Sequence, residues 1–574
     1  MKTIKQIIFL TAVVFLAASC KKDFLDKAPS VNLPEEKVFS DPILAVQYAD
    51  NAYNFLVNDY ARFNTHRGIT GQAADEAVTG NNEGSINTLT QGTYHAHSDN
   101  FGTNDISYVY ARSYAGIRIA NVMLSKIDGV NWPAINSPRD RVEGEMHFVR
   151  ALLYFELIKR FGGVVLIDQR LEANGENDFP RNSYQECVDF ILKDLDAADA
   201  LLPLNYNATL AINNGRATVG ASKALRSRLL LYAASKLNNE TNDLNKWKLA
   251  ADAAKAVMDL NEYSLQSTYE DILNVPTSTE YIMTKVRGPR APDGMMLDFV
   301  MSPGSGGAQG QLNPTQNHVD LYDMLTTGRP ITDPLSGYDA TKPYVDRDPR
   351  LKANVLYNDV QWQGVGVKIE TWSQTSSTGV KTFGKDYREN NPNYTATRYY
   401  CRKLWPEPYV RSLPNNRALL NYIYFRYAEI LLNYAEAQNE FSGPDASILN
   451  ALNLIRTRAG MPVFQTTNAS GAGYIANNKD DFRIRIRNER AVELAFEDAR
   501  WYDIQRWKVG PEIVAKPMYG MDVVKNTNGS FTYTKVLLPI AMQKVFLDYM
   551  HRYPIPRNEV FKSKGKLIQN TGWE

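Results

Sequence analysis

Apolar residues recur at three- and four-residue spacing along most of this chain, which is the pattern of one face of an amphipathic helix. Because that spacing differs from the strict alternation of a half-buried strand, it predicts helices. The chain is therefore expected to be mainly α-helical. The clearest segments of its first half are 43–56, 106–127, 139–161, 184–202, 218–237 and 247–260.

Short polar turns separate several of these segments, which predicts that neighbouring helices fold back on each other as hairpins. One Asn/Asp-rich turn, at 238–245, precedes a helix whose inward side carries Ala250 and Ala254. Small alanines that face aromatic side chains are typical of tetratricopeptide-like packing, although that consensus does not repeat cleanly along the chain. Further helical segments are predicted at 422–441, 446–459 and 480–507.

The chain changes character between residues 275 and 414, where Gly, Pro, Asn, Ser and isolated aromatic residues replace the long periodic runs. Segments 365–370 and 397–404 alternate in a strand-like way, and a Ser/Thr/Gly turn lies at 374–379. We expect a loop-rich region with short strands that form a small sheet or a hairpin. Binding groups are usually displayed on such insertions, so a functional site is expected here.

The N-terminus carries the pattern of a bacterial export signal. Lys2 and Lys5 precede an apolar run at 7–18, small residues follow, and Cys20 comes directly after them. The apolar run is shorter than the roughly 20 residues that span a bilayer. Residues 1–19 are therefore predicted to be a lipoprotein signal peptide, with Cys20 as the lipid attachment site. The alternative is an ordinary secretory signal that is followed by a cysteine by chance.

Charge and composition limit the classes of function. The chain has 64 Lys and Arg residues against 63 Asp and Glu residues, so no basic stripe is available for nucleic acid. No linker-like stretch divides residues 20–574, and we expect one domain there. Cys187 and Cys401 are too few for a disulfide framework, and two buried thiols are favoured over a bridge. Within that domain, the predicted parts are mostly helical 23–275, loop-rich 276–420 and helical 421–574.

Glu489, Glu493 and Glu497 recur at four-residue spacing and share one face of a predicted helix. Two of these carboxylates would serve as the acid and base of a glycoside hydrolase in an enzymatic interpretation. Arg490 and Arg500 each lie three residues from one of the carboxylates and would hold it ionised. The sequence therefore favours a structural ladder of ion pairs, with the hydrolase as the alternative.

Metal and cofactor motifs give little support for catalysis. His95 and His97 would share a strand face, but no third His or Cys lies near them. The glycine-rich run at 304–310 lacks the Gly-Lys-Ser/Thr ending of a phosphate-binding loop. These missing motifs count against an enzyme, and we predict no cofactor and no metal site.

Tryptophans in loops suggest a different kind of site. Trp132, Trp362 and Trp372 lie among polar or turn-forming residues. An exposed aromatic ring packs against the C–H face of a sugar, while neighbouring amides and carboxylates bond to its hydroxyl groups. Each ring would equally serve to pin its loop to the core, and that alternative stays open.

Several blocks along the chain resemble, in order, those of the SusD/RagB lipoproteins of the Bacteroidota. The mature start at 20–26 is followed by matching blocks at 150–155 and 161–164, and by central blocks at 314–331 and 347–351. Further matches lie near the C-terminus, where the sequence is most similar to that family. These C-terminal blocks are 426–432, 452–462, 489–507 and 552–556.

The resemblance implies a mainly α-helical, SusD-like fold of tetratricopeptide-like helix pairs with a loop-rich region. It also implies a non-catalytic protein that is lipid-anchored on the outside of the outer membrane. Such a protein captures oligosaccharides, or peptides in RagB-like relatives, and delivers them to a SusC-like TonB-dependent transporter. Ligand sites in this family are built by variable loops, so we place the site at 75–101 and 304–372 by position and chemistry. The candidate ligand residues are Trp362, Trp372, Tyr94, Asn100, Tyr338 and Asp75.

Overall fold

The computed structural model describes residues 33–57, 59–60, 68–80, 86–95, 107–172, 179–285, 300, 302–307, 309–362, 367–387, 394–405 and 419–573. Its helices are α1 Glu35–Ser40, α2 Pro42–Asp50, α3 Ile86–Thr90, α4 Ser107–Lys126, α5 Arg139–Phe161, α6 Tyr184–Leu201, α7 Leu210–Asn213, α8 Val219–Ala234, α9 Leu244–Met258, α10 Pro303–Gly306, α11 Gln316–Val319, α12 Pro349–Asn354, α13 Tyr427–Ser442, α14 Ala446–Arg458, α15 Lys479–Glu493, α16 Arg500–Trp507, α17 Gly510–Ile513 and α18 Arg557–Lys562. Its strands are β1 Ala77–Thr79, β2 Tyr281–Lys285, β3 Leu312–Pro314, β4 Val355–Leu356, β5 Gln361–Trp362, β6 Val367–Lys368, β7 Ser373–Thr375, β8 Lys381–Phe383, β9 Tyr400–Cys401, β10 Tyr422–Arg426, β11 Tyr519–Lys525 and β12 Phe531–Leu537.

The long helices begin where the sequence supplies caps. At the start of α6, the Ser183 hydroxyl accepts from the Glu186 amide at 3.2 Å, and the Glu186 carboxylate accepts from the Ser183 amide at 2.7 Å. This capping box satisfies two amides that the helix itself leaves unpaired. At α9, the Asp243 carboxylate accepts from the Asn245 amide at 2.9 Å. Local chemistry therefore accounts for helix ends that lie close to the predicted ones.

Helices pack in pairs, as predicted. Helix α5 packs on α4 and α6, α8 packs on α9, and α13 packs on α9, α14 and α15. We call α4–α6, α8, α9 and α13–α15 the helical layer. Ala224 and Ala254 are fully buried there, so the backbones of neighbouring helices approach closely. The prediction of a mainly α-helical fold built from helix pairs is confirmed.

A second hydrophobic cluster lies under short strands. It includes Leu312, Trp362, Tyr400 and Val523, each of which is fully buried. Among the described residues, the strands form one four-stranded sheet in the order β12-β11-β7-β8 and four two-stranded ladders, β1-β3, β10-β2, β4-β9 and β5-β6. We call strands β4–β9, β11 and β12 the sheet region.

The two predicted strands exist, but they do not form a hairpin with each other. Val367 of β6 pairs with Trp362 of β5, and Cys401 of β9 pairs with Val355 of β4. The two predicted strands therefore do not pair with each other. The Ser/Thr/Gly turn instead joins β7 to β8, and β7 continues the sheet beside β11. Contacts distant in sequence set these pairings, which is why alternation alone did not reveal them.

The helix predicted over 480–507 is interrupted. Helix α15 ends at Glu493 and α16 begins at Arg500. Between them, Phe496 and Asp498 have φ angles of 60° and 69°, in the left-handed region that ends a helix. Phe496 is nevertheless fully buried, so the break lies inside the protein. The helical period continues through this break, and for that reason the sequence predicted one helix.

Two further predictions bear on location and covalent structure. Cys187 and Cys401 are both buried and free, so the prediction of two unbridged thiols is confirmed. Within the part of the chain that the structure describes, no helix is long and apolar enough to cross a bilayer. Cys20 lies outside the described residues, and its lipid attachment stays a prediction.

Candidate functional site

Asp75 and Tyr94 are buried in contacts that stabilise the fold. The Arg500 Nε and Nη2 groups donate to the Asp75 carboxylate at 2.8 and 2.9 Å. Burial by itself would raise the pKa of Asp75, but the Arg500 guanidinium outweighs it and holds this pKa below its usual value. Tyr94 is 6% exposed and meets Trp573 edge to face, with ring centroids 5.6 Å apart. Neither side chain is displayed to a ligand in this geometry.

Trp362 is also buried. Its ring lies against Trp405, with centroids 4.1 Å apart, and the Arg402 guanidinium lies 5.7 Å from the Trp362 ring centroid. Its indole N–H has no hydrogen-bond partner among the described residues. Trp362 therefore supports other side chains and is not itself a surface platform. Asn100 lies outside the described residues, so its role stays a prediction.

Tyr338 and Trp372 are half-buried, and each leaves part of its ring exposed to solvent. The Lys525 amine lies 4.4 Å from the centroid of the Trp372 ring. The Arg347 guanidinium lies 5.5 Å from the centroid of the Tyr338 ring. A cation over an aromatic face holds the ring in place. Of the six predicted ligand residues, these two fit a binding surface best.

A row of half-buried aromatic side chains accompanies them. Tyr344 stacks on Tyr357, with centroids 4.1 Å apart and planes inclined at 21°, and it meets Tyr533 edge to face at 5.3 Å. Tyr533 lies 6.3 Å from Phe531 on the same face of β12. Phe531 is the strand partner of Lys525, whose amine covers Trp372. We call this surface the aromatic band, and it consists of Tyr344, Tyr357, Trp372, Phe531 and Tyr533.

The tyrosines of the band are uncharged hydrogen-bonding groups at neutral pH. Burial raises the pKa of Tyr344 well above its usual value, and burial also raises the pKa of Tyr357 and of Tyr533. Tyr344 and Tyr399 share a hydrogen bond of 2.9 Å between their hydroxyl groups. A protonated phenol both donates and accepts hydrogen bonds. The band therefore combines apolar ring faces with polar edges.

Charged groups surround the band. Lys368 and Asp359 form an ion pair of 2.7 Å, and Lys535 and Asp320 form another of the same length. All four side chains are at least partly exposed, so these pairs are weak and available to a polar ligand. Flat apolar faces beside exchangeable polar groups suit the two faces of a sugar ring.

Four members of the band were missed by sequence reasoning, because attention went to tryptophans in loops. The alternation of Phe531 and Tyr533 after the turn that contains Gly529 is a strand signal, and it marks two aromatic rings on one face. Tyr344 and Tyr357 lie thirteen positions apart and meet only because α12 lies between them. No local pattern predicts that stacking.

The three regularly spaced glutamates form a buried ionic cluster. Arg350 donates to Glu489 at 2.6 Å and to Glu493 at 3.0 Å, while Arg426 donates to Glu493 at 2.7 Å and to Glu497 at 2.8 Å. Burial by itself would raise the pKa of each carboxyl, but the surrounding cations outweigh it and hold all three below the usual value. A glycosidase acid needs the opposite shift.

The predicted ion-pair ladder is correct in kind and wrong in its partners. Arg490 donates to Asp503 at 2.7 Å, and Arg500 pairs with Asp75 rather than with Glu497. The cations that hold the glutamates come from other elements, namely α12, the end of β10 and α14. Spacing along one helix did not reveal them because they are distant in sequence.

No group of three His, Cys, Asp or Glu side chains is arranged to hold a metal among the residues that the structure describes. His97, one of the two histidines considered for such a site, lies outside those residues.

Family models match both halves of the chain. The model described as "SusD family" matches residues 265–573, which is more than half of the chain. A second model, described as "Starch-binding associating with outer membrane", matches residues 23–231. Together the two matches include the sheet region and the helical layer apart from α9 and the end of α8.

Relatives and solved structures agree with these matches. "SusD-like protein P2" of Formosa agariphila is 26% identical over 497 residues, covering 80% of this chain and 85% of that protein. "SusD-like protein P25" of the same organism is 22% identical and covers 94% of this chain and 96% of its own. A SusD-like protein from Bacteroides fragilis superimposes with a TM-score of 0.74 at 26% identity, covering 95% of this chain and 100% of that one.

A second Bacteroides fragilis structure shares the fold at 21% identity, with a TM-score of 0.72 over 92% of this chain and 99% of its own. The helix pairs, the ordered sequence blocks and the family match over residues 265–573 lead to one conclusion. This chain belongs to the SusD family.

Proposed function

We propose that this protein captures glycans on the aromatic band and delivers them to a SusC-like TonB-dependent transporter without altering them. The band is the observation that carries the proposal, because it joins half-exposed rings to neutral phenols and exchangeable ion pairs. Two solved relatives support it, since one is described as a carbohydrate-binding protein and another as a laminarin-binding SusD-like protein.

A non-catalytic role is part of the proposal. The carboxylates that the hydrolase alternative requires are buried, and each is held ionised by arginine or lysine. A general acid must keep its proton near neutral pH. The proposal therefore assigns these groups to stability, and it expects binding without turnover.

Location follows from Cys20 in this proposal. Acyl chains on this cysteine would hold the protein on the outer face of the outer membrane, since each buried CH₂ contributes about 0.8 kcal/mol. A family model that names association with the outer membrane supports this location. A tethered binder stays at high effective concentration near its transporter.

Affinity electrophoresis and calorimetry against a panel of plant, algal and host glycans test the proposal. We expect at least one oligosaccharide to bind, Trp372→Ala and Tyr533→Ala to weaken it at least tenfold, and no new reducing ends to form during prolonged incubation. Trp132→Ala is the matched control, because Trp132 is a half-buried loop tryptophan whose indole bonds to the Ile127 carbonyl. Binding of peptides alone would favour the RagB-like alternative, and unchanged affinity in both band variants would overturn the site.

A further inference from the structure

A groove of about 530 Å³ runs along one side of α4. Its other walls are the segment 165–171 and helix α18, and none of its lining residues belongs to the aromatic band. Tyr110, Ile117 and Asn121 are buried beneath it. The exposed or half-buried side chains that line it are mostly apolar and include Ala111, Tyr114, Val165, Ile167, Leu171 and Phe179. We call it the α4 groove.

The rim of the α4 groove is polar. Arg118 is exposed and donates to the Leu171 carbonyl at 2.9 Å, but it forms no ion pair with a carboxylate among the described residues. Lys562 and Glu559 form an ion pair of 2.8 Å across which both side chains are well exposed, so this pair is weak. An apolar groove with a polar rim is typical of an interaction site. Its occupant should be apolar, with a carboxylate beside it for Arg118.

The described part of the chain starts at one end of this groove. Leu33 is its first residue and is 51% exposed. Two positions further on, Glu35 pairs with Arg170 and, at 3.2 Å, with Lys126 of α4. Arg170 is adjacent in sequence to Leu171, which lines the groove. The residues that precede Leu33 therefore leave the body of the protein beside the α4 groove.

The sequence of those preceding residues fits the groove. Residues 20–32 lie outside the described residues, and they include Phe24 and Leu25 between two aspartates, Asp23 and Asp26. Leu25 lies eight positions before Leu33, and an extended chain of that length reaches about 26 Å. The part of α4 that lines the groove is about 16 Å long. The apolar pair can thus reach any part of the groove, and the family match to residues 23–231 includes it.

The chain segment that adjoins the groove at 173–178 does not have this character. Its sequence is Ala-Asn-Gly-Glu-Asn-Asp, which contains no large apolar side chain. Such a segment gains little from contact with apolar walls. The segment 23–26 is therefore the better occupant of the two.

We infer that residues 23–26 bind in the α4 groove of their own chain, with Phe24 and Leu25 on its apolar walls. One of the flanking carboxylates pairs with Arg118. This inference goes beyond glycan capture and does not depend on the aromatic band. It places Cys20 close to the groove, so an acyl anchor there would turn the side of the body that carries α4 and α18 toward the membrane.

Disulfide cross-linking tests the inference on the chain from residue 20 to 574 with Cys20→Ala. Leu25→Cys is combined with Ala111→Cys, which lies in the groove, because cysteine is itself a small apolar residue. The matched control combines Leu25→Cys with Ser125→Cys, which is exposed on the same helix next to Lys126. A segment that is not bound would reach Ser125 at least as easily. We expect the Ala111 pair to form its disulfide about tenfold faster, since binding raises the effective concentration of the two thiols.

Hydrogen exchange gives a second measurement without new cysteines. Phe24→Ser combined with Leu25→Ser should speed amide exchange in the groove wall at 165–171 about threefold, because the wall loses its cover. Lys21→Ser combined with Lys22→Ser changes the same segment outside the apolar pair and should leave that exchange as in the wild type.

Three results would overturn the inference. The first is a disulfide that forms as fast with Ser125→Cys as with Ala111→Cys, which would show that the segment has no preferred place. The second is a cross-link that joins two chains, which would assign the groove to the segment of a second copy. The third is unchanged exchange at 165–171 in the variant that lacks both apolar side chains.

Discussion

Aromatic residues are buried to different extents in the helical layer and in the sheet region. In the helical layer, Tyr154, Phe155 and Phe161 are fully buried between helices. In the sheet region and the turns beside it, Tyr344, Trp372 and Tyr533 are only half-buried. The paired helices cover the first three rings completely, whereas the short strands and turns cover the other three only in part. The rigid layer therefore serves as a scaffold, and the sheet region offers surfaces to ligands.

The largest effect is expected where the two regions meet. Glu493 of the helical layer binds Arg350, which precedes the strands of the sheet region, and also Arg426 and Arg458. Glu493→Gln removes the carboxylate that these three buried cations share, at a cost of about 3–5 kcal/mol in the free energy of unfolding. Urea unfolding measures this, with exposed Glu512→Gln as the control. A loss below about 1 kcal/mol would mean that the cluster does not join the regions.

Trp362 shows whether the second hydrophobic cluster supports the ligand surface. Trp362→Ala removes a fully buried ring that packs on Trp405, and should cost about 3–5 kcal/mol of stability. Thermal unfolding measures the loss, and the half-buried Trp132→Ala is the control. If Trp362→Ala leaves the melting temperature unchanged, the second hydrophobic cluster does not support the ligand surface.

A pH effect is expected at Glu76, whose carboxyl accepts from the Phe496 amide at 3.0 Å. Burial raises the pKa of Glu76 from 4.5 to about 8. The folded protein then binds the extra proton between these values, so this group's contribution to stability is present at low pH and declines as pH rises. The same buried cluster of ionisable groups includes Asp75, Arg500, His318 and Lys544.

Glu76→Gln isolates this contribution, because the other groups titrate in both proteins. The difference in unfolding free energy between wild type and variant should change by up to about 1.4 kcal/mol per pH unit from pH 5 to 7. Urea unfolding at several pH values gives the two curves. Parallel curves would show that Glu76 is ionised in the folded protein.

A smaller effect on stability is expected at Trp372. Its contact with Lys525 contributes about 0.5–1 kcal/mol, so Trp372→Ala should unfold almost as wild type does. A tenfold loss of oligosaccharide affinity corresponds to about 1.4 kcal/mol of binding free energy. Calorimetry measures the loss of affinity, and thermal unfolding of the same sample measures the loss of stability. A large fall in stability would place Trp372 in the core.

The smallest effect on the purified protein is expected at Cys20. Cys20→Ala should leave glycan affinity unchanged, because the residue precedes both regions. Surface labelling and growth on the bound glycan should both decline, since the binder is no longer held near its transporter. Normal growth with the variant would show that the lipid anchor affects only the location of the protein and not glycan uptake.

Prediction from sequence succeeded where contacts are local. The helices α4, α5, α6 and α9 begin and end close to the predicted positions, because apolar spacing and caps such as Ser183 lie within each segment. The aromatic surface was predicted only in part. Trp372 belongs to the band and Tyr338 is half-buried, but Trp362 is buried and Asp75 is held by Arg500.

By itself the sequence determined the balanced charge and the order of the family blocks, which are read directly from the chain, and the helix pairs, whose apolar spacing and caps lie within each segment. Only the tertiary structure decided which rings remain exposed. Tyr344 meets Tyr533 across 189 positions. Contacts of that kind depend on how complete elements pack, and no local pattern records them.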